Sequence, residues 1–511
     1  MRVPLTVNDF LDRAELVYGD RVAIVDEPDQ PAPPFAELTY REVGSLARAQ
    51  AAALDELGVG VGERVAIVSH NAARLLVALF GVSGSGRILV PVNFRLNADE
   101  VGYIVEHSGA SVLLVDPELD DELRGVDAPH RFVVGAESDA AMFRPGVEPE
   151  RWERDEDATA TINYTSGTTA RPKGVQLTHR NVWVNATTFG WQLGVSDRDV
   201  YLHTLPMFHC NGWGMPYAVT GMGGRHIVLR KVDGAEILRR IDQHGVTMLN
   251  GAPTVVNMVI DAAREWPGEI PGRGRVRITV AGASPPTRTI EEVEEVLGWE
   301  FVQIYGLTET APLLTMNRSR AEYDDLAPAE HAARLGRAGA PALGVELRVD
   351  QHGEVLARSN VVMEGYWNQP EATEDALGDG WFHTGDGGTL DDEHYLTISD
   401  RKKDVIISGG ENVSSIEVED CLFSHPAVAE VAVIGVPDEQ WGETVKALVV
   451  VADGATVTEI ELVDHCREHL AHYKCPTSIE LRDELARTAT GKLQKFRLRA
   501  PYWEGRDRQI G

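Results

Sequence analysis

The residues with the clearest chemical potential are Tyr164-Thr-Ser-Gly-Thr-Thr-Ala-Arg-Pro-Lys-Gly-Val175, which follow a strand-like run from Ala158 to Tyr164 and precede a helix expected to start near Thr178. Small residues let a backbone approach a ligand closely. Several hydroxyl and N–H groups can converge on phosphate oxygens, and Lys173 adds a positive charge. A Walker loop is excluded, because Pro172 rather than glycine precedes Lys173 and the G-x-x-x-x-G-K-[ST] spacing is absent. By composition alone the stretch reads equally well as a flexible Ser/Thr/Gly loop. Other reactive groups are bland in isolation: Glu309 reads as a surface carboxylate, Asp386 as an acid stabilising its own turn, and Lys492 as a solvated lysine. The pair Gly409-Gly410 reads as an ordinary turn and His209 as a core histidine bonded to backbone.

Their order along the chain changes that. The Tyr164–Val175 stretch resembles the phosphate-loop signature of the adenylate-forming superfamily, which includes acyl-CoA synthetases, luciferases and nonribosomal adenylation domains. Tyr305-Gly-Leu-Thr-Glu-Thr310, Gly380-Trp-Phe-His-Thr-Gly-Asp386, Ser399-Asp-Arg-Lys-Lys-Asp404 and Thr488-Ala-Thr-Gly-Lys-Leu-Gln-Lys495 also resemble motifs of that superfamily, in the same order. One departure is peripheral: Ala486-Arg487 stands where a proline usually precedes the last motif.

The resemblance implies ATP- and Mg2+-dependent conversion of a carboxylate to acyl-AMP with release of pyrophosphate, then attack by the thiol of coenzyme A. Positioning and charge neutralisation would carry the first step. Thr165, Ser166, Gly167, Thr168, Thr169 and Lys173 would hold the departing phosphates. Thr308 would touch the α-phosphate and Glu309 would bind Mg2+, a hard cation that takes oxygen ligands. Tyr305, beside Gly306, would offer a face to adenine, with Gly282, Ala283 and Ser284 supplying close backbone contacts. Asp386 would grip the ribose hydroxyls, and Arg401 would add a ribose or phosphate contact. Lys492 would be the catalytic lysine of adenylation, carried in by a small domain rotating about a hinge at Lys403. Gly409 and Gly410 would line the pantetheine path.

For the acid, the segment Leu205-Pro-Met-Phe-His-Cys-Asn-Gly-Trp213 resembles acyl-activating enzymes for fatty and related acids more than amino-acid adenylation domains, which place an Asp near the start of the pocket. Asn211, Trp213, Met215, Ala252, Val255 and Val256 are candidate wall residues. They are mainly apolar and uncharged, which favours an acid without an amino group; with the resemblance this implies a medium- or long-chain fatty acid or related acid, the chain length being left open. His209 would gate or stack near the carboxylate. An aryl acid of benzoate or cinnamate type, a ligase loading a carrier protein, and a catalytically silent binding protein on the same fold are the competing readings.

The elements that must position these groups alternate in the first third of the chain. Arg21–Val25, Arg64–Ser69, Arg87–Val92 and Ser111–Val115 read as strands of a parallel sheet. Between the first two, Thr39 and Glu42 have capping-box spacing before a helix that Gly58 terminates. Beyond residue 400, helical patterns at Ser415–Phe423 and Thr458–Leu470 alternate with apolar runs at Val428–Val436 and Lys446–Val451, enough for a small α+β domain. The resemblance implies an α/β fold: a large N-terminal domain of stacked mixed sheets in five αβαβα layers with an added β subdomain, residues 1–400, and a small mobile domain, residues 401–511.

Composition narrows partners and compartment. The 511 residues carry 48 Lys and Arg against 79 Asp and Glu, a net charge of −31, and a negative field of that size argues against nucleic acid or an anionic membrane. The uncharged stretch from Val200 to Gly224 is long enough to span a bilayer, but its prolines, histidines and glycines mark buried protein interior instead. No apolar signal segment follows Met1. The four cysteines, Cys210, Cys421, Cys466 and Cys475, form no C-x-x-C pair, so neither a disulfide framework nor a zinc site is expected, and a reducing cytoplasm fits. A homodimer is compatible with the sequence.

Overall fold

In a computed structural model the chain is described at residues 1–144, 146–165, 171–282, 285–401, 404, 406–408, 411–438, 441–487 and 493–504, without the side chains of 400, 401, 411 and 412. Four sheets organise it. The largest has nine strands in the order 340–341, 313–318, 300–306, 277–280, 248–251, 200–203, 225–228, 22–25 and 37–39. Its central strands are parallel, with antiparallel partners at both ends. The second has seven strands, in the order 365–366, 173–178, 159–165, 88–92, 64–68, 110–115 and 130–133. All four strands expected in the first third are present, offset by a residue at most.

Side-chain alternation along these strands builds the layers, because successive residues of a strand point to opposite faces. Val65, Ile67, Val112 and Leu114 of the seven-stranded sheet join Met248, Val302 and Ile304 of the nine-stranded sheet in one core. The helices Asn8–Tyr18, Tyr40–Glu56, Ala73–Gly81 and His179–Leu193 contribute Phe10, Leu54, Leu76 and Phe189 to it. The intervening strand residues face outward. Ala66, Val68, Leu113 and Val115 pack under helix Ala98–Ser108, whereas Leu249, Ile278 and Phe301 pack under Gly234–His244 and Pro253–Arg264. The order is helix, sheet, helix, sheet, helix, as the resemblance implied. Ala73–Gly81 lies in the middle layer and is buried at all nine positions, which explains why its sequence is apolar apart from Arg74, whose guanidinium is paired with Asp139.

A four-stranded antiparallel sheet, 345–349, 354–359, 382–390 and 396–401, forms the added β subdomain. The small domain is a five-stranded sheet with a core on each face. Val431, Val433, Val445 and Val449 pack beneath helices Ser415–Phe423 and Glu459–His469, and Ala432, Ile434 and Leu448 pack against Leu485 and Leu498. Among the described residues no helix is long and apolar enough to cross a membrane.

Local signals are realised where expected. Thr39 caps helix Tyr40–Glu56 by accepting from the Glu42 N–H, and the Glu42 carboxylate accepts from the Thr39 N–H at 2.7 Å. Thr39→Ala removes half of this box and should cost about 1 kcal/mol. The measurement is the urea midpoint of the large domain; an unchanged midpoint would show that the cap does not stabilise the folded chain.

Candidate active site

Parallel strands deliver their carboxyl ends to one edge of a sheet, where ligands of open α/β folds bind. Val200–His203, Met248–Gly251, Arg277–Val280 and Glu300–Gly306 do so here, and the candidate residues follow them directly. Leu205–Trp213 follows the first, Ala252 the second, Gly282 the third, and Thr308 and Glu309 the fourth. Gly282 has φ 92°, a conformation that favours glycine. Gly306 is required for another reason: a Cβ there would lie 1.6 Å from the Pro312 carbonyl oxygen.

At the phosphate end, Thr165 pairs with Lys173 across the base of the loop. The Lys173 Nζ lies 4.5 Å from the centroid of the Tyr366 ring, and the Tyr366 hydroxyl donates to Glu309 Oε1 at 3.0 Å. One phenol therefore links the cation expected to hold phosphates to the carboxylate expected to hold Mg2+. Burial, reinforced by the Glu309 carboxylate, pushes the Tyr366 hydroxyl far above its ordinary value, so it stays a donor. A carboxylate held by a neutral donor, with hard oxygen atoms, fits Mg2+. The Met363 N–H donates to the Glu309 carbonyl at 2.8 Å and fixes that corner.

Tyr366 was not among the residues singled out from sequence. It is placed by the two-residue strand Gly365–Tyr366, which pairs with Lys173–Thr178. Gly174 allows the approach, since a Cβ there would come within 2.9–3.3 Å of Ile162, Tyr164 and Trp367. The run Glu364-Gly-Tyr-Trp367, with its glycine and adjacent aromatics, is the signal that could have pointed to it.

At the nucleoside end, the Tyr305 hydroxyl donates to Asp386 Oδ2 at 2.8 Å, bringing together two residues 81 positions apart. Asp386 is buried on strand Phe382–Leu390. Its N–H bonds the Thr384 hydroxyl at 3.1 Å, and Thr384 in turn donates to the Val355 carbonyl at 2.7 Å. Gly385 turns at φ 71° and donates to Glu354 at 3.0 Å. These bonds hold the Thr-Gly-Asp turn as a bulge within a strand, and the backbone of Arg401 pairs opposite Asp386. Ser166, Gly167, Thr168, Thr169, Ala283, Ser284, Lys403, Gly409, Gly410 and Lys492 lie outside the described residues, as does the Arg401 side chain.

The acid end has the least ordinary backbone. Cys210, Asn211, Gly212, Trp213 and Gly214 have φ of 46°, 52°, 61°, 59° and 80°, a left-handed turn that costs about 1–2 kcal/mol for each residue bearing a Cβ. Buried bonds hold it. Asn211 Nδ2 donates to Thr161 Oγ1 at 3.0 Å, and Asn185 Nδ2 donates to the Trp213 carbonyl at 3.2 Å. Asn185 Oδ1 accepts from the Leu313 N–H at 3.1 Å, tying the turn to the strand after Thr308. The Cys210 thiol lies 3.9 Å from the Thr308 carbonyl, and burial pushes it far above its ordinary value. Asn185 was also missed from sequence, although an Asn among Val182, Ala186 and Phe189 on an apolar helix face is a readable signal.

The six wall candidates do not share one environment. Trp213 and Met215 pack into the central core, and Asn211 is buried beside them. Val256 packs into the core on the far side of the nine-stranded sheet, while Ala252 and Val255 are half-buried at its carboxyl edge. His209, half-buried, begins the turn and accepts from the Gly212 N–H at 3.0 Å through its carbonyl.

The chain resembles known proteins along nearly its whole length. The AMP-binding enzyme family matches residues 11–367, and the AMP-binding enzyme C-terminal domain matches residues 417–492. The 2-methylpropanoate–CoA ligase CCL4 of Humulus lupulus is 36% identical over 538 aligned positions, covering 97% of this chain and 95% of its own. The crystal structure of the anthranilate CoA ligase AuaEII in complex with anthranoyl-AMP has a TM-score of 0.87 and 28% identity, covering 98% of this chain and 99% of that one. O-succinylbenzoate coenzyme A synthetase from Bacillus subtilis, in complex with ATP and magnesium ion, has a TM-score of 0.81 and 31% identity, covering 96% and 99%. The chain belongs to the AMP-binding enzymes, in the acyl-CoA synthetase branch of the adenylate-forming superfamily.

Proposed function

We propose that this acid–thiol ligase activates a small, apolar monocarboxylic acid with ATP and transfers the acyl group to coenzyme A. In the first step a carboxylate oxygen attacks the α-phosphorus and pyrophosphate leaves; in the second the CoA thiolate attacks the acyl carbon and AMP leaves. The observation that carries the reading is the paired arrangement across three sheets, Lys173 and Tyr366 of the seven-stranded sheet with Glu309 at one end and Tyr305 of the nine-stranded sheet with Asp386 of the four-stranded sheet at the other. Lys173 and Thr165 would receive the departing phosphates. Glu309 would hold Mg2+, which supplies charge neutralisation on the triphosphate when bound. Asp386 would exchange its bond from Tyr305 for the ribose hydroxyls, leaving the Tyr305 ring against adenine. Residues 1–400 would carry these steps, and residues 401–511, hinged at Lys403, would bring in Lys492 for the first step only.

The acid class rests on the interior from Val200 to Gly224, which contains no Asp, Glu, Lys or Arg, so a substrate ammonium would be buried unpaired at a cost of several kcal/mol. Small size, rather than a medium or long fatty chain, is supported by the burial of Trp213 and Met215 and by the branched short acid in the name of the Humulus relative. An aryl acid is the second reading, favoured by the anthranoyl-AMP held by AuaEII.

The test offers ATP, Mg2+ and acids from acetate to palmitate, with benzoates and amino acids, with and without CoA, and identifies products by mass. Thioesters of short apolar acids are expected, and efficient turnover of an amino acid would overturn the acid class. Trp213→Ala or Met215→Ala should shift the preferred length, each CH2 being worth about 0.8 kcal/mol or roughly fourfold in preference, with little change in ATP affinity. The same length profile in both variants would place the pocket elsewhere.

The half-reactions separate the roles of the remaining groups. Lys492→Ala should lose adenylation by orders of magnitude yet still convert supplied acyl-AMP and CoA to thioester, whereas Lys403→Pro, which fixes φ, should do the reverse. Equal losses in both half-reactions would reject either assignment. Tyr366→Phe keeps the ring under Lys173 but removes the hydroxyl from Glu309. A hydrogen bond to a charged group is worth about 1.5–3 kcal/mol, so adenylation should fall about 10–100-fold with a higher Mg2+ requirement. Adenylation at the parental rate and Mg2+ dependence would remove Tyr366 from the site.

A further inference from the structure

We propose that the small domain carries a second metal site, distinct from the one at Glu309, in which Cys421, His465 and His469 bind a divalent transition ion of zinc type. The sequence hides it, since 44 residues separate Cys421 from His465 and the cysteine spacing has no zinc pattern. Folding brings them together. Cys421 lies near the end of helix Ser415–Phe423, and His465 and His469, four residues apart, share one face of helix Glu459–His469.

The Cys421 sulfur and one ring nitrogen of each histidine all lie within 4.8 Å of one another. A zinc ion at about 2.0–2.3 Å from each donor needs them only about 1 Å closer, a distance that side-chain rotation can close. His469 is exposed and Cys421 and His465 are half-buried, so the donors can move, and the outward side remains open for water.

The surroundings have the features of a ligating set. Each imidazole has a ring nitrogen already engaged with oxygen: His465 Nε2 lies 3.0 Å from the Cys421 carbonyl and 2.9 Å from the Ser424 hydroxyl, and His469 Nδ1 lies 2.8 Å from the His465 carbonyl. Such bonds fix ring plane and tautomer in metal-binding histidines. Thiolate with imidazole selects zinc and related ions over Mg2+, so the two sites would not compete for one metal. The neighbouring Asp420 bonds Thr287 of the large domain, which puts the ion one residue from an interdomain contact.

The test uses the full-length protein, reduced with a phosphine and stripped with a chelator, titrated with Co2+ as a spectroscopic probe and then with Zn2+. One equivalent of Co2+ per chain with a thiolate-to-cobalt charge-transfer band, displaced by Zn2+, is expected. Cys421→Ser should abolish the band. His469→Ala, at an exposed position that spares the fold, should weaken binding about 10–100-fold or more, since even the outer partners of metal ligands cost that much. The exposed, remote His352→Ala should leave it unchanged. No charge-transfer band at saturating Co2+, a band that survives Cys421→Ser, or unchanged affinity in His469→Ala would overturn the site.

Discussion

The pairing of the two-residue strand Gly365–Tyr366 with Lys173–Thr178 is the contact on which the catalytic edge depends. It is bracketed by the Glu364 N–H donating to the Gln176 carbonyl at 3.0 Å and the Trp367 N–H donating to the Gly174 carbonyl at 2.7 Å. A slip of one residue would turn the phenol of Tyr366 to the opposite face, because side chains alternate along a strand. Lys173 would then lose its ring and Glu309 its donor. Such a short strand has little intrinsic stability, and its register is set by its neighbours. Gly174 admits the Trp367 backbone, the Trp367 indole N–H reaches the His107 carbonyl at 3.2 Å, and the Tyr164 hydroxyl holds His107 Nδ1 at 2.8 Å. Lys173, Tyr366 and Glu309 are thus positioned by packing among the described strands.

The left-handed turn at Cys210–Gly214 is the complementary case, in which backbone strain is held by burial. Three of its residues bear a Cβ, each at a cost of about 1–2 kcal/mol, and removing a large side chain such as Trp213 from water returns only about 1.5–3 kcal/mol. The balance falls to the amides. Asn185 bridges the turn and the strand that follows Glu309, and Asn211 anchors to Thr161 on the strand that ends at Thr165. The segment proposed to meet the acid is therefore coupled by hydrogen bonds to both strands that deliver the residues proposed to hold phosphate and metal. That arrangement suits a site in which one carbonyl carbon must meet two different reaction partners without being released.

What could be read from the sequence follows the range of the interactions involved. The Thr39–Glu42 capping box, the helix start near Thr178, the strands of the first third and the helix Ser415–Phe423 depend on residues a few positions apart and are found where expected, although Val22–Val25 joins the nine-stranded sheet rather than the sheet of the other three. The motif residues Lys173, Tyr305, Glu309 and Asp386 were legible through their order along the chain, and the structure links them in two pairs, Lys173 to Glu309 through Tyr366 and Tyr305 to Asp386. Tyr366, Asn185 and the Cys421–His465–His469 cluster were not, because their meaning lies in contacts 41 to 193 residues distant that no local pattern encodes. The wall candidates show the same limit: Val256 is buried in the far core, and the adjacent Val255 is half-buried against that same core.

The junction between the domains differs from everything inside them. Each domain has apolar cores of its own, whereas the contacts that join them among the described residues include polar ones. Helix Thr287–Glu292 begins after Pro286, which offers no side-chain cap, and Asp420 of the small domain accepts from the Thr287 N–H at 2.9 Å and its hydroxyl at 3.2 Å. A helix end in one domain is thus satisfied by a carboxylate in the other. The Ser414 hydroxyl likewise donates to the Ser399 carbonyl at 2.6 Å. Hydrogen bonds of this kind contribute about 0.5–1.5 kcal/mol each and are replaced by water when they open. A small domain docked through such bonds could be re-docked at low cost, as the rotation proposed about Lys403 would need, while the apolar cores on either side would keep each half of the machinery intact.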